Sequence, residues 1–95
     1  MNLRERKKLY RAAVQKWGLT LQMGMLMEES AELIQATHKV MRTDMPVFWD
    51  HLAEEMADVE IMIEQISTMV DWQDLKVKKE QFKLQKLERL KERTR

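Results

Sequence analysis

Residues that interrupt helices are rare in this chain, which has two glycines and one proline among 95 residues. A few long helices tolerate that scarcity, whereas an all-β fold needs frequent turns rich in these residues. The composition is dominated by Leu, Met, Glu, Lys, Gln and Ala, which favour helices. The sequence therefore predicts a single all-α domain spanning residues 1–95.

Four helices are expected from the spacing of apolar residues and from the interruptions between them. The predicted ranges are 1–18, 20–41, 46–70 and 74–93. Gly18 is expected to end the first helix, Thr20 to cap the second and Pro46 to begin the third. Because the connections are short, neighbouring helices should be antiparallel, giving a helical hairpin with flanking helices. A chain this short is marginally stable alone, so we expect a homodimer or homotetramer.

Several packing expectations follow from the same pattern. Gly24 suggests a close backbone approach within the second helix. Methionines are adaptable core residues, and tryptophans near helix ends are more often core anchors than base-stacking groups. The side chains expected in the core are Met23, Met25, Met27, Met56, Met62, Met69, Trp17, Trp49 and Trp72. The narrow stripe expected to dock the fourth helix consists of Leu84, Leu87 and Leu90.

The chain has no cysteine, which excludes disulfides and thiolate metal sites. Its charged N-terminus lacks the apolar run of a signal peptide. No stretch approaches the roughly 18 consecutive apolar residues of a membrane span. We therefore expect a cytoplasmic protein without a membrane partner.

Charge is unevenly distributed along the chain. Residues 17–75 contain twelve acidic side chains but only Lys39 and Arg42 as basic ones, whereas residues 76–95 contain nine basic and three acidic ones. Chance segregation explains such a pattern about as well as a central cation site flanked by phosphate-binding ends. Nucleic-acid binding is disfavoured, because the basic residues are interleaved with Glu and Leu and no recognition motif occurs.

An acid-acid-x-x-acid pattern occurs in both central helices, as Glu28-Glu29-Ser30-Ala31-Glu32 and as Glu54-Glu55-Met56-Ala57-Asp58. With Glu55 at zero on a helical projection, Leu52 falls at about +60° and Met62 at about −20°. Glu55 therefore lies inside the apolar stripe of its helix, and Asp58, at about −60°, lies on its edge. In the second helix, Glu29 and Glu32 border the core-facing side in the same way.

Carboxylates that converge beside a core repel each other and need either basic partners or a divalent cation. Residues at i and i+3 present their oxygens on one side of a helix, and two such pairs form an oxygen-rich cage suited to Mg²⁺, Mn²⁺ or Ca²⁺. Glu-x-x-His pairs typical of di-iron bundles and a zinc ligand set are both missing. The alternative is ordinary surface charge, since EExxE is frequent in exposed helices. Mg²⁺ completes its coordination with substrate phosphates, which favours phosphoryl chemistry.

The segment Met27–Gln35 followed by Glu54–Val59 resembles the MazG-like nucleoside triphosphate pyrophosphohydrolases, whose signature is EExxE followed by ExxD on an all-α scaffold. The resemblance spans roughly residues 10–92 and is closest to small members, some of them phage-encoded. It implies a four-helix MazG-like arrangement with Mg²⁺, or Mn²⁺, as cofactor. The metal ligands that it implies are Glu29, Glu32, Glu55 and Asp58.

The resemblance also implies hydrolysis of (deoxy)nucleoside triphosphates to monophosphate and pyrophosphate by a metal-activated water. Glu28 or Glu32 is expected to take the proton of that water. Gln65 stands where relatives often carry an Asn that holds the substrate. The residues expected to bind phosphate are Lys39, Arg42, Lys83 and Lys86. Two alternatives remain, a catalytically silent nucleotide- or protein-binding module and a helical adaptor or nucleic-acid-binding protein.

Overall fold

The computed structural model describes residues 1–95 and consists of four α-helices joined by short connections. The helices are α1 (Leu3–Trp17), α2 (Leu19–Arg42), α3 (Pro46–Met69) and α4 (Leu75–Arg93). The predicted all-α class and the order of the four helices are confirmed, with boundaries within two residues of those expected. None of the helices combines the length and the apolar character that crossing a membrane requires.

Gly18 alone separates α1 from α2. Its amide donates to the Val14 carbonyl at 2.8 Å, which ends α1, and its carbonyl accepts from the Gln22 amide at 3.2 Å, which begins α2. Its φ of 85° lies where residues with a Cβ are strained, so glycine is needed at this turn. The prediction that Thr20 caps α2 was wrong, because the helix already begins at Leu19 and Gly18 occupies the cap position.

The α2–α3 hairpin forms the centre of the molecule. Residues 43–45 connect the two helices, and Pro46 stands at the first turn of α3, where a missing amide hydrogen does no harm. Gln22 contacts Gln65 near one end of the hairpin, and Glu29 lies near Glu55 further along, so the two helices are antiparallel. The buried apolar side chains on the contact line are Ala36, Val40, Met62 and Ile66.

A polar contact joins α1 to α3 through Glu64. Glu64 accepts hydrogen bonds from the Arg6 guanidinium and, at 2.6 Å, from the Tyr10 hydroxyl. Tyr10 is the only buried residue of α1. The position of α1 therefore depends largely on one aromatic ring and one ion pair.

The fourth helix packs on α3 only through its first turns. It begins after Asp74, which has a left-handed φ of 56° and makes no side-chain cap, and Lys79 donates to the buried Ser67 hydroxyl at 3.4 Å. Every residue of 81–95 is exposed. The expectation that the leucine stripe docks α4 within the chain was wrong, because the helix diverges from α3 before it. These leucines, Leu84, Leu87 and Leu90, are 55–63% exposed.

Two further packing expectations were wrong. All three tryptophans are more than half exposed, and Met62 is the only methionine in the buried core, because no other helix of this chain packs over the remaining ones closely enough to bury them. Gly24 makes no close approach, since a Cβ placed there would meet no atom within 4 Å. The buried core is thus smaller than the apolar content of the sequence led us to expect.

Candidate metal centre

Three of the four predicted metal ligands meet between α2 and α3. Glu29 and Glu32 are one helical turn apart on α2, and Glu55 faces them from the middle of α3. One carboxylate oxygen from each lies within 4.8 Å of the others. We call these three residues the acidic cluster. Its members differ in exposure: Glu55 is buried, Glu29 is half-buried and Glu32 is exposed.

Two oxygens of the acidic cluster are buried without a hydrogen-bond partner, namely Glu29 Oε2 and Glu55 Oε2. Buried polar atoms are nearly always satisfied in folded proteins, and a charged one is the most costly to leave alone. No Lys or Arg lies within 4.0 Å of any carboxylate oxygen in the cluster. The chain therefore offers these oxygens no cation of its own at close range.

The pKa values of the cluster reflect the burial of its carboxyl groups and their closeness to one another. Burial, followed by the charges of Asp58 and Glu32, raises the pKa of Glu29 from 4.5 to about 7. Burial is also the largest cause of the raised pKa of Glu55, with the Glu32 charge next. Desolvation and like charges both disfavour ionised carboxylates. A bound divalent cation would reverse that preference.

Two further titratable residues, Asp58 and His51, lie next to the cluster. Asp58, the fourth predicted ligand, is exposed and lies outside the group of converging oxygens, yet its charge contributes to the raised pKa of both Glu29 and Glu55. His51 Nε2 lies 3.9 Å from Glu55 Oε1, one turn earlier on α3. The sequence signal for this neighbour is the i, i+4 spacing of His51 and Glu55, which places both on one side of the helix.

Gln65 is buried, and its side-chain amide donates to the Gln22 carbonyl oxygen. Gln22 lies two turns before Glu29, about 10 Å along the helix. The two glutamines therefore form a buried polar contact between α2 and α3, two helical turns away from the cluster. The sequence singled out Gln65 but not its partner, because the pairing depends on the register of the hairpin.

The predicted phosphate-binding residues lie apart from the acidic cluster within one chain. Lys39 and Arg42 are exposed on the last turns of α2, about 10 and 15 Å beyond Glu32 along the helix. Lys83 lines a cavity of about 520 Å³ between α3, α4 and the start of α1, and Lys86 is exposed on the diverging part of α4. Glu28, one of the two expected proton acceptors, is exposed and outside the cluster.

The donor set of the cluster consists only of carboxylate oxygens. Such oxygens suit hard divalent cations such as Mg²⁺, Mn²⁺ and Ca²⁺, whereas zinc and copper sites favour nitrogen and sulfur. The two buried oxygens without a hydrogen-bond partner fit the same cations, since a bound metal would coordinate them. The arrangement is therefore chemically suited to a hard cation.

Comparisons with protein-family models, with curated proteins and with solved structures found no match to this chain.

Proposed function

We propose that this protein is a Mg²⁺-dependent nucleoside triphosphate pyrophosphohydrolase with a MazG-like arrangement of helices, acting on the cytoplasmic nucleotide pool. The observation that carries the proposal is the convergence of Glu29, Glu32 and Glu55, with two buried oxygens that nothing in the chain satisfies. These residues are the core of the EExxE and ExxD motifs. The burial of Glu55 and of one Glu29 oxygen distinguishes these two acids from ordinary surface acids, which stay solvated.

In this proposal Glu29, Glu32 and Glu55 hold the cation, and Asp58 supplies a further carboxylate at the solvent edge of the site. Bound Mg²⁺ neutralises phosphate charge and lowers the pKa of a coordinated water. Glu29 and Glu55 act as ligands in this proposal, since each keeps one carboxylate oxygen buried in the cluster. Glu32 is exposed and belongs to the cluster, so it is better placed than Glu28 to accept a proton from the attacking water.

Basic side chains must offset the charge that develops on the phosphoryl oxygens. Lys39 and Arg42 extend from the same hairpin as the cluster and are exposed, so they are the candidates within one chain. Lys83 and Lys86 lie on α4, which does not contact α2. In this proposal they act on a site of another subunit in a dimer or tetramer.

The test is pyrophosphate release from a panel of NTPs and dNTPs with Mg²⁺, with Mn²⁺ and with EDTA. We expect release from at least one nucleotide that EDTA abolishes. Glu55→Gln should lower the rate by at least roughly 100-fold. The matched control is Glu60→Gln, which changes an exposed acid on the same helix outside the cluster and should leave the rate unchanged. Metal-independent release, or equal rates for both variants, would contradict the proposal.

One observation favours a second candidate, a catalytically silent module that binds a nucleotide–metal complex or a protein. No basic side chain of the chain stands at the acidic cluster to stabilise a transition state. A silent module would be stabilised by Mg²⁺ and nucleotide in thermal unfolding yet release no pyrophosphate. Turnover from any nucleotide separates the two functions.

A further inference from the structure

Over residues 4–11, one side of α1 consists of basic side chains alone. With Arg4 at zero on a helical projection, Lys7 falls at about −60°, Lys8 at about +40° and Arg11 at about −20°. All four therefore lie within an arc of about 100° and along about 10 Å of the helix axis. Three of them are exposed and Lys7 is half-buried. We call these four residues the basic row.

Glu5 and Leu9 lie outside this arc, at about +100° and +140°. In the linear sequence they are interleaved with the basic residues, and nucleic-acid binding is disfavoured on that ground. The helix separates the two kinds of residue, which removes the objection for α1. Tyr10, at about −120°, packs toward α3 and donates to Glu64. The basic row is therefore turned away from the side of α1 that contacts the rest of the protein.

No acidic side chain of the chain pairs with the basic row. The basic partners in the ion pairs of the structure are Arg6, His51, Lys79 and Arg95. Within the row, like charges stand three and four residues apart, where they repel each other along a helix. Arg4 also lies in the first turn, where the helix macrodipole disfavours cations. The row therefore opposes the stability of α1, and a bound polyanion would reverse that effect.

The composition of the row favours one kind of anionic partner, a duplex with its phosphates on the outside. Helices that bind anionic membranes insert an apolar side, whereas the side of α1 away from the row packs on α3 through Tyr10. Single strands are held by aromatic side chains on which bases stack, and the row contains none. Protein interfaces have an apolar centre in which lysine is depleted. One strand of a duplex carries a charge about every 3.4 Å, so the row spans about three phosphates.

We propose that the basic row of α1 binds the phosphodiester backbone of a nucleic-acid duplex. Lys and Arg neutralise phosphates and release the counterions condensed on the duplex. Contacts to phosphate carry no sequence information, so the affinity should not depend on the base sequence. The row lies on α1, whereas the acidic cluster lies between α2 and α3. Duplex binding therefore does not require the proposed hydrolysis, and each can be tested without the other.

The first test measures the fluorescence anisotropy of a labelled DNA duplex of about 20 base pairs as the native protein is added. EDTA is present, so that no divalent cation can bridge the acidic cluster and the DNA. The titration is repeated from about 25 to about 200 mM KCl. With four cations on phosphates, the logarithm of the binding constant should fall against the logarithm of the salt concentration with a slope of about −3 to −4. No binding at the lowest salt, or a slope near zero, would overturn the proposal.

Matched variants test whether the row itself binds the duplex. Lys7→Gln combined with Lys8→Gln removes half of the row. The control, Lys16→Gln combined with Lys91→Gln, removes two lysines from exposed positions outside it. The first variant should bind roughly tenfold more weakly at low salt and have a slope closer to zero by about 1.8, whereas the control should change less than about twofold. Equal weakening in both variants would assign the binding to net charge alone and overturn the proposal.

Other polyanions distinguish a duplex from the partners that the row fits less well. Single-stranded DNA, anionic phospholipid vesicles and polyglutamate are titrated at the same concentration of charge. The duplex should bind at least roughly threefold more tightly than each of them. Tighter binding to any of the three would overturn the duplex as the partner.

The last test uses the unmodified protein, so its outcome does not depend on whether a variant folds. Lysines are acetylated with and without saturating duplex, and peptide mass spectrometry compares their rates. The duplex should slow the acetylation of Lys7 and Lys8 roughly fivefold relative to Lys91. Unchanged relative rates would overturn the proposal.

Discussion

Glu29 and Glu55 face each other across the α2–α3 hairpin, and each buries one carboxylate oxygen that has no hydrogen-bond partner. Both residues lie on the side of their helix that packs within the hairpin, so neither carboxylate can move fully into solvent while the two helices remain packed. Without a cation, the pair opposes folding through desolvation and repulsion. The same pair favours folding once a cation binds, so the stability of this hairpin should report on metal directly.

The substitution Glu55→Gln should separate these two effects. In EDTA the neutral amide removes a buried charge, and the melting temperature should rise on the order of 5 °C. With Mg²⁺ at ten times its Kd, the native protein should gain about 1.4 kcal/mol, or roughly 5–10 °C for a domain of this size. The variant should gain nothing. Thermal unfolding with and without Mg²⁺ measures both effects, and equal stabilisation of native and variant proteins would exclude Glu55 as a ligand.

The metal-free protein should become more stable as the pH falls through 7. The pKa of Glu29 is raised from 4.5 to about 7 in the folded protein, so folding takes up a proton between those values and stability rises toward lower pH. The raised pKa of Glu55 acts in the same direction. Melting temperatures measured in EDTA from pH 8 to pH 5.5 should increase by several degrees, and Glu29→Gln should flatten the slope. A melting temperature that falls as the pH is lowered over that range would contradict a raised pKa for Glu29 and Glu55.

The contact between α1 and α3 should have the opposite pH dependence. Hydrogen bonds from Arg6 and Tyr10 lower the pKa of Glu64, so the stability that this contact adds is present above the ordinary carboxyl pKa and is lost as the pH falls below it. Glu64→Gln should lower the melting temperature at pH 7 by about 5 °C, a modest effect because the ion pair is partly exposed. The loss should shrink at pH 3. Glu60→Gln, one turn earlier on α3, is the control and should change little at either pH.

The two glycines should respond to alanine with opposite signs. Gly24 lies inside α2 with open space around it, so Gly24→Ala should stabilise the protein by about 0.8–1 kcal/mol. Gly18 has a φ of 85°, and Gly18→Ala should destabilise it by roughly 1–3 kcal/mol. Chemical denaturation of the two variants tests both values. A destabilising Gly24→Ala would mean that another molecule packs against that part of α2.

The sequence predicted the helices well because apolar spacing and scarce Gly and Pro act locally. It also placed Glu29, Glu32 and Glu55 together, since i, i+3 spacing and a short connection suffice to bring facing acids into contact. It did not predict the Gln22–Gln65 pair, which requires the register of two helices, or the exposure of Trp49 and the leucines of α4. The spacing of apolar residues indicates which side of a helix is suited to burial, but it does not indicate whether the same chain or another molecule covers that side.

Residues 81–95 of α4 are all exposed, so little packing holds them helical inside an isolated subunit. A helix of this length without packing is marginal in water, so amide hydrogen exchange should be fastest there and should slow with rising protein concentration if subunits pair. The segment also contains six lysines and arginines, the residues after which trypsin cleaves. A chain whose α4 stays unpacked would therefore be open to proteolysis from this end, whereas packing of α4 against another molecule would slow that cleavage.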